Sequence, residues 1–213
     1  MKIILVRHGQ SQFNKLTKEN KKIYSGQYDC ELSEEGKRAA VELRNNSYIK
    51  SIEQVYSSDL KRAFETAKLA TQKENIILDK RLRERSLGVF EGKFARDLQK
   101  DYPEYFEDGR YRNFTNDFIV KAPNGENYTD VIKMAMDFLN SINLKDNCTI
   151  GIFSHGRFLS YFISVLMNLE EEKTLNLEIP NSMLIAIIGK EIGHFIMESH
   201  SINELLNLKI NKK

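Results

Sequence analysis

The sequence predicts an α/β fold, a three-layer α/β/α sandwich on a mostly parallel sheet, from three observations. Short apolar runs typical of buried strands occur at residues 2–6, 55–57, 76–78 and 149–153. Segments with helical periodicity separate these runs, and such alternation favours parallel strands joined by right-handed helical crossovers. Two further apolar runs, residues 183–188 and 194–197, flank a glycine-bounded turn and predict a hairpin that forms an antiparallel edge of the sheet.

The helices are predicted from caps and from apolar spacing. Ser33 suits the start of a helix, because its hydroxyl can accept a free N–H and Glu34 and Glu35 follow in the first turn. The polar stretch before Glu31 carries no predicted element. Apolar residues recur at helical spacing across residues 60–70, 128–142 and 157–169.

One segment breaks the alternation. Between residues 94 and 125 the periodicity fails, and Pro and Gly turn signals interrupt the chain. We therefore expect a single domain, residues 1–213, with a helical or loop insertion at about 93–125 that lies over the active site. The insertion carries Arg96, Arg110, Arg112 and Lys121. These basic residues either contact a second anionic group or are solvated surface charges, and the sequence leaves both readings open.

Composition excludes several classes of protein. The 213 residues carry a net charge of +2 without a basic stripe, so no nucleic-acid partner is expected. The apolar run at the N-terminus is too short for a signal peptide, and no run is long enough to span a bilayer. Cys30 and Cys148 cannot build a disulfide framework. We expect a cytoplasmic protein without a membrane partner; a homodimer is compatible with the sequence but is not readable from it.

Reactive residues follow four predicted strands, at the edge where parallel α/β sheets bind ligands. They are Arg7-His8-Gly9, Ser57-Ser58 with Arg62 one helical turn later, Arg83-Glu84-Arg85, and Ser154-His155-Gly156. This set suits a phosphoryl group. Guanidinium groups match phosphate oxygens, a histidine can attack phosphorus, and a carboxylic acid can protonate the leaving oxygen. A glycine after each histidine lets the backbone, including its N–H, approach an anion.

Other phosphate chemistries lack their residues. The sequence contains no P-loop, and neither cysteine has an arginine six positions later, as a cysteine-dependent phosphatase requires. No Asp and His cluster has the spacing of a two-metal site. The remaining chemistry is a histidine mechanism for which no metal and no cofactor are expected.

Six blocks of the sequence together resemble the histidine phosphatase superfamily, which includes cofactor-dependent phosphoglycerate mutases and fructose-2,6-bisphosphatases. The blocks are Leu5-Val6-Arg7-His8-Gly9-Gln10-Ser11 with Asn14; Asp29, Leu32, Ser33, Gly36 and Ala39; Val55-Tyr56-Ser57-Ser58-Asp59-Leu60-Lys61-Arg62-Ala63 with Thr66 and Ala67; Leu82, Glu84, Gly88, Glu91 and Gly92; Pro123, Gly125 and Glu126; and Ser154-His155-Gly156. They occur in the family's order from the N-terminus to residue 156.

The resemblance implies a catalytic role for five residues. His8 is the nucleophile and forms a phosphohistidine, which requires a neutral ring with one nitrogen's proton held by a local acceptor. Arg7, Arg62 and His155 hold the phosphoryl oxygens. Glu84 donates a proton to the leaving alcohol and then activates water.

The resemblance also implies substrate contacts around these five residues. The Gly156 N–H assists the phosphoryl grip, Asn14 adds a side-chain donor, and Ser58 supports the pocket. Gly9 and the mutase-like pair Ser25 and Gly26 complete the expected substrate-binding set.

We expect a phosphomonoesterase that acts on a small phosphorylated metabolite, with a phosphoglycerate mutase as the main alternative. Family mutases are longer and tend to carry tyrosine before the glycine of the acid segment, where this chain has Leu87. Ser25-Gly26 instead matches the mutase pattern. A binding module without turnover is disfavoured by the complete catalytic set. An α/β-hydrolase with Ser154 as nucleophile is disfavoured because the glycine two residues before the serine is missing.

Overall fold

A computed structural model describes residues 1–19, 21–107, 110–111, 121–143 and 147–198. The strands are β1 Lys2–Arg7, β2 Gln54–Ser57, β3 Ile76–Leu78, β4 Phe106–Glu107, β5 Arg110–Tyr111, β6 Thr149–Ser154, β7 Leu184–Ile188 and β8 Ile196–Met197. The helices are α1 Gln12–Lys18, α2 Glu34–Glu42, α3 Ser47–Lys50, α4 Lys61–Thr71, α5 Ala95–Asp101, α6 Tyr128–Ser141, α7 Gly156–Met167 and α8 Glu171–Asn176.

Six strands form the central sheet in the order β3-β2-β6-β1-β7-β8. Strands β3, β2, β6 and β1 are parallel, whereas β7 pairs antiparallel with β1 and β8 pairs antiparallel with β7. The predicted mixed sheet with a hairpin edge is therefore confirmed. Strand β1 lies between β6 and β7, so its carboxyl end opens at the middle of the sheet.

Two apolar layers cover the faces of the sheet, because successive residues of a strand point to opposite sides. Ile3 and Leu5 of β1 pack in one core with helices α6 and α7. Ile4 and Val6 pack in the other with Ala67 of α4. This arrangement is the predicted three-layer α/β/α sandwich. None of the described helices is both long and apolar enough to cross a membrane.

Several short helices were not predicted from the sequence. Helix α1 lies in the polar stretch after β1 and buries none of its residues, so no apolar periodicity marks it. A capping box starts it instead: the Ser11 hydroxyl accepts the Asn14 N–H, and the Asn14 side chain accepts the Ser11 N–H. Helix α5 falls within the predicted insertion.

A third apolar cluster joins the expected insertion to the rest of the chain. It contains Tyr24, Leu87, Phe90, Leu98, Phe106 and Ala122. Part of the insertion, residues 108–109 and 112–120, lies outside the described residues and includes Arg112. It stays a prediction that residues 93–125 form a cap within a single domain.

Candidate active site

The carboxyl ends of β1, β2 and β6 meet at one edge of the sheet, beneath a cleft of about 470 Å³. The lining of the cleft includes most of the predicted site residues: Arg7, His8, Asn14, Ser25, Gly26, Arg62, Glu84 and Gly156. Gly9 and His155 lie behind this wall and contact His8, and Ser58 in turn contacts His155. The parallel topology thus brings together side chains that are up to about 150 positions apart in the sequence.

His8 stands at the end of β1 with a fixed ring. Its Nδ1 lies 2.6 Å from the carbonyl oxygen of Gly9. A carbonyl only accepts, so Nδ1 carries the proton and the lone pair of the neutral ring is on Nε2. Burial, together with the charges of Arg62 and Arg7, holds the pKa of His8 well below its ordinary value. His8 therefore carries the features of a histidine nucleophile: a neutral ring and one tautomer.

His155 lies beside His8, with the two ring centroids 5.1 Å apart. Its Nε2 is 2.9 Å from the Ser58 hydroxyl, which also accepts the Leu60 N–H. Burial, together with the charge of Arg62, holds the pKa of His155 well below its ordinary value. The other nitrogen, Nδ1, is buried and has no hydrogen-bond partner among the described residues.

Arg7 is a partly buried cation that lines the cleft. One terminal nitrogen donates to the Ile179 carbonyl, whereas the buried Nε has no partner among the described residues. Burial lowers its pKa to about 10, against the opposing charge of Glu84, so the group stays protonated at neutral pH. The guanidinium lies flat against Gly156, where an added Cβ would stand 3.1 Å from Cζ. The absence of a side chain at Gly156 allows this contact.

Arg62 is 1% exposed and extends from the first turn of α4 into the cleft. Its Nη2 donates to Gly26 O at 2.7 Å and its Nη1 to Tyr28 O at 2.8 Å. These bonds attach the 26–28 loop to the start of α4. Gly26 has a φ of +47°, and an added Cβ would lie 2.4 Å from Glu91 Oε1, so the loop requires glycine there.

Glu84 sits over the N-terminus of α7. Its Oε1 accepts the N–H groups of Arg85 at 2.9 Å and Phe158 at 3.1 Å, and its Oε2 accepts that of Arg157 at 3.2 Å. Helix N-termini favour carboxylates at this position. The same bonds hold the carboxyl group at the wall of the cleft that His8 also lines.

Asn14 and Gly9 are fixed by the chain around them. Asn14 Oδ1 accepts hydrogen bonds from the Ser11 N–H, the Ser11 hydroxyl and the Nδ2 of Asn181. The Nδ2 of Asn14 is therefore available to donate to a ligand. The Gly9 N–H donates to Thr66 Oγ1 at 3.0 Å, and this bond holds the Gly9 backbone behind the cleft wall.

Sequence reasoning missed some cleft residues. Lys22, Tyr24, Arg157 and Glu178 also line it, and Asn181 contacts the His8 backbone. Of the basic insertion residues, Lys121 pairs with Asp130, and Arg96 pairs with Asp97 while 80% exposed; neither lines the cleft. The side chain of Arg110 lies outside the described residues. Within the described ranges, no group of three or more His, Cys, Asp or Glu side chains has the arrangement of a metal site.

Residues 3–200 match the family model of the histidine phosphatase superfamily, branch 1. The chain belongs to this superfamily. Relatives of this histidine phosphatase superfamily enzyme include both mutases and phosphatases. A 2,3-bisphosphoglycerate-dependent phosphoglycerate mutase of Lachnoclostridium phytofermentans is 27% identical over 100% of this chain and 96% of its own length. Phosphoserine phosphatase 1 of Hydrogenobacter thermophilus is 27% identical over 94% of this chain and 98% of its own.

The same fold occurs in solved structures of the superfamily. The phosphoserine phosphatase of Entamoeba histolytica, solved in complex with 3-phosphoglyceric acid, superposes with a TM-score of 0.74. It is 27% identical, and the match covers 93% of this chain and 95% of that structure. The relatives agree on the superfamily and differ in the reaction that their names state.

Proposed function

We propose that this enzyme hydrolyses the phosphate monoester of a small metabolite through a covalent phosphohistidine on His8, without a metal ion. The observation that carries the proposal is the His8 ring. Its Nδ1 is bound to Gly9 O at 2.6 Å, and the ring lines the same cleft as Arg7, Arg62 and Glu84. The site thus combines a neutral nucleophile, cations for the phosphoryl oxygens and an acid for the leaving group.

The proposed reaction has two steps, formation of a phosphohistidine and its hydrolysis. In the first, Nε2 of His8 forms a bond to phosphorus while the bond from phosphorus to the ester oxygen breaks, and Glu84 gives that oxygen its proton. In the second, a water molecule attacks phosphorus, Glu84 takes a water proton, and the bond between phosphorus and Nε2 breaks. His8 returns neutral and Glu84 returns protonated.

Two buried polar atoms support a phosphoryl group at this position. Nε of Arg7 and Nδ1 of His155 have no hydrogen-bond partner among the described residues, although buried polar atoms are nearly always satisfied. A phosphoryl oxygen can accept a hydrogen bond from Arg7 Nε, and it can accept one from His155 Nδ1 when that nitrogen carries the hydrogen of the ring. The Arg62 guanidinium, with five N–H groups, has donors left beyond those given to Gly26 O, Tyr28 O and Cys30 Sγ.

The labelling experiment compares wild type with His8→Ala and with His194→Ala, an exposed histidine away from the cleft. After incubation with p-nitrophenyl [³²P]phosphate and quenching, wild type and His194→Ala should carry acid-labile, base-stable label. His8→Ala should carry none and should have lost turnover while keeping the wild-type circular dichroism spectrum. Label that persists in His8→Ala would exclude His8 as the nucleophile.

Phosphoryl transfer of the mutase type is the second candidate, because Ser25 and Gly26 of the mutase-like pattern line the cleft. A mutase must shield its phosphohistidine from water while the bound intermediate reorients in the site. Leu87, which also lines the cleft, offers a substrate no hydrogen bond where family mutases tend to have tyrosine. This difference favours hydrolysis.

A comparison of two rates, mutase interconversion and phosphate release, distinguishes the two reactions. The enzyme is given 3-phosphoglycerate with catalytic 2,3-bisphosphoglycerate, and both 2-phosphoglycerate and inorganic phosphate are measured. We expect phosphate release from the best substrate of a metabolite panel to exceed interconversion of the monophosphates. The opposite ranking would establish the mutase.

A further inference from the structure

A turn from the C-terminal half of the chain packs directly against the backbone of His8. Residues 180–183 form this turn, closed by the Met183 N–H on Pro180 O at 3.1 Å. It pairs with the end of β1: the Ser182 N–H donates to His8 O at 3.2 Å, and the Arg7 N–H donates to Met183 O at 3.1 Å. Ser182 has a φ of +59°, which is uncommon for a residue other than glycine. Such conformations concentrate at functional sites, where the surrounding structure enforces them.

Asn181, within this turn, directs one amide nitrogen at three oxygen atoms of the site. Its Nδ2 lies 3.1 Å from His8 O, 3.3 Å from Gly9 O and 3.2 Å from Asn14 Oδ1. All three partners are acceptors, so the orientation of the Asn181 amide is determined by its surroundings. None of the roles described above uses Asn181.

We propose that Asn181 is a positioning residue, which through this single nitrogen sets the tautomer of His8 and the orientation of the Asn14 amide. The inference rests on the proposed function of His8 as nucleophile. Asn181 touches the backbone of the nucleophile and the side chain of a predicted phosphate ligand, and it acts through them.

The action on His8 passes through the Gly9 carbonyl. That oxygen accepts the Nδ1–H of His8 at 2.6 Å and the Nδ2–H of Asn181 at 3.3 Å, which uses both of its lone pairs. The second bond fixes the plane of the peptide, and with it the acceptor that keeps the proton on Nδ1. If the carbonyl rotates away, the ring loses the partner that leaves the Nε2 lone pair available for phosphorus.

The action on Asn14 is direct. Asn14 Oδ1 accepts from Asn181 and from both the N–H and the hydroxyl of Ser11. With the oxygen held on that side, the Nδ2 donor is presented to the cleft, where a phosphoryl oxygen needs a donor. A flipped amide would present an acceptor and repel the anion.

Two substitutions distinguish a positioning role of Asn181 from a role in folding alone. Asn181→Ala removes the donor. Asn181→Asp keeps the shape but places carboxylate oxygens against three acceptors at neutral pH, whereas its protonated form at low pH regains one donor. Asn176→Ala is the matched control, because Asn176 ends helix α8 shortly before the turn, donates from Nδ2 to the Glu172 carbonyl at 2.9 Å, and does not line the cleft.

Turnover of p-nitrophenyl phosphate and the rate of phosphohistidine formation are measured from about pH 7 down to about pH 5. Asn181→Ala should lose roughly 10²-fold in kcat at all pH values, the size of effect that misplaced reacting groups produce, while KM changes much less. Asn181→Asp should be equally slow at neutral pH but recover relative to wild type as the pH falls. Asn176→Ala should match wild type.

Three results would overturn the proposal. In the first, Asn181→Ala forms phosphohistidine at the wild-type rate, while wild type is labelled on His8; this refutes the positioning role and leaves the proposed function intact. In the second, Asn181→Asp is slow and its ratio to wild type does not change with pH, which assigns Asn181 to the fold alone. In the third, wild type itself carries no label, which removes the proposed function and this inference together.

Discussion

Substitution of Glu84 by glutamine separates proton donation from structural support. The amide has nearly the shape of the carboxyl group. If its oxygen replaces Oε1, it still accepts the N–H groups of Arg85 and Phe158, and only the Arg157 N–H, bound to Oε2 at 3.2 Å, loses its acceptor. One lost hydrogen bond costs about 1–3 kcal/mol at most, which is small beside the ~5–15 kcal/mol stability of a typical domain. Glu84→Gln should therefore fold.

The effect on the rate depends on the leaving group. An alkoxide needs a proton as it departs, and a positioned acid contributes about 10²–10⁴-fold to such a step. A nitrophenolate is stable without the proton. We therefore expect kcat/KM to fall by about 10²–10⁴-fold for an alkyl phosphate and by less than ~10-fold for p-nitrophenyl phosphate.

The assay measures kcat/KM on both substrates for wild type, Glu84→Gln and Glu170→Gln, the last being a glutamate whose side chain is 79% exposed. Glu170→Gln should match wild type on both. Equal losses on the alkyl and aryl substrates in Glu84→Gln would refute the reasoning and assign Glu84 to orientation of the α7 N-terminus.

The remaining predictions concern metal, pH and the 26–28 loop. Activity should survive chelators and be inhibited by vanadate; loss on chelation that a divalent ion restores would contradict the histidine mechanism. Because the pKa values of His8 and His155 lie well below 6.5 in the fold, the unfolded chain binds more protons as the pH falls through about 6.5. Thermal stability should thus drop below that pH, by up to about 1.4 kcal/mol per pH unit for each histidine, and a flat profile would argue that these rings are not neutral and buried. Gly26→Ala should reduce kcat/KM, since its Cβ would lie 2.4 Å from Glu91 Oε1, whereas Gly193→Ala, also at positive φ but with its nearest neighbour at 3.6 Å, should keep activity.

The sheet and most of the catalytic edge could be predicted because their signals are local. A run such as residues 2–6 identifies a buried strand by itself, and the rule that parallel strands bind ligands at their carboxyl ends then brings His8, Arg62 and Glu84 together. Helix α1 was missed because nothing in it is buried, although the Ser11 and Asn14 capping pair was a usable signal.

Asn181 had no comparable signal. Its three contacts join residues separated by 167 to 173 positions, and they exist only once β7 has paired with β1. The roles of Ser58 and Gly9 as support behind the wall likewise depend on packing, since motif position alone cannot distinguish a residue that touches a ligand from one that touches its neighbour.

The position of β1 also bears on how the chain reaches its native state during synthesis. Strand β1 is made long before its two neighbours in the sheet, which are β6 and β7 at residues 149–154 and 184–188. At typical translation speeds of ~5–20 residues per second, the apolar strand waits on the order of ten seconds or longer for its first partner. Contacts of such long range also slow folding itself. A nascent chain therefore exposes Ile3, Ile4, Leu5 and Val6 to chaperones or to other chains, and it can acquire activity only after β6 and β7 have been made.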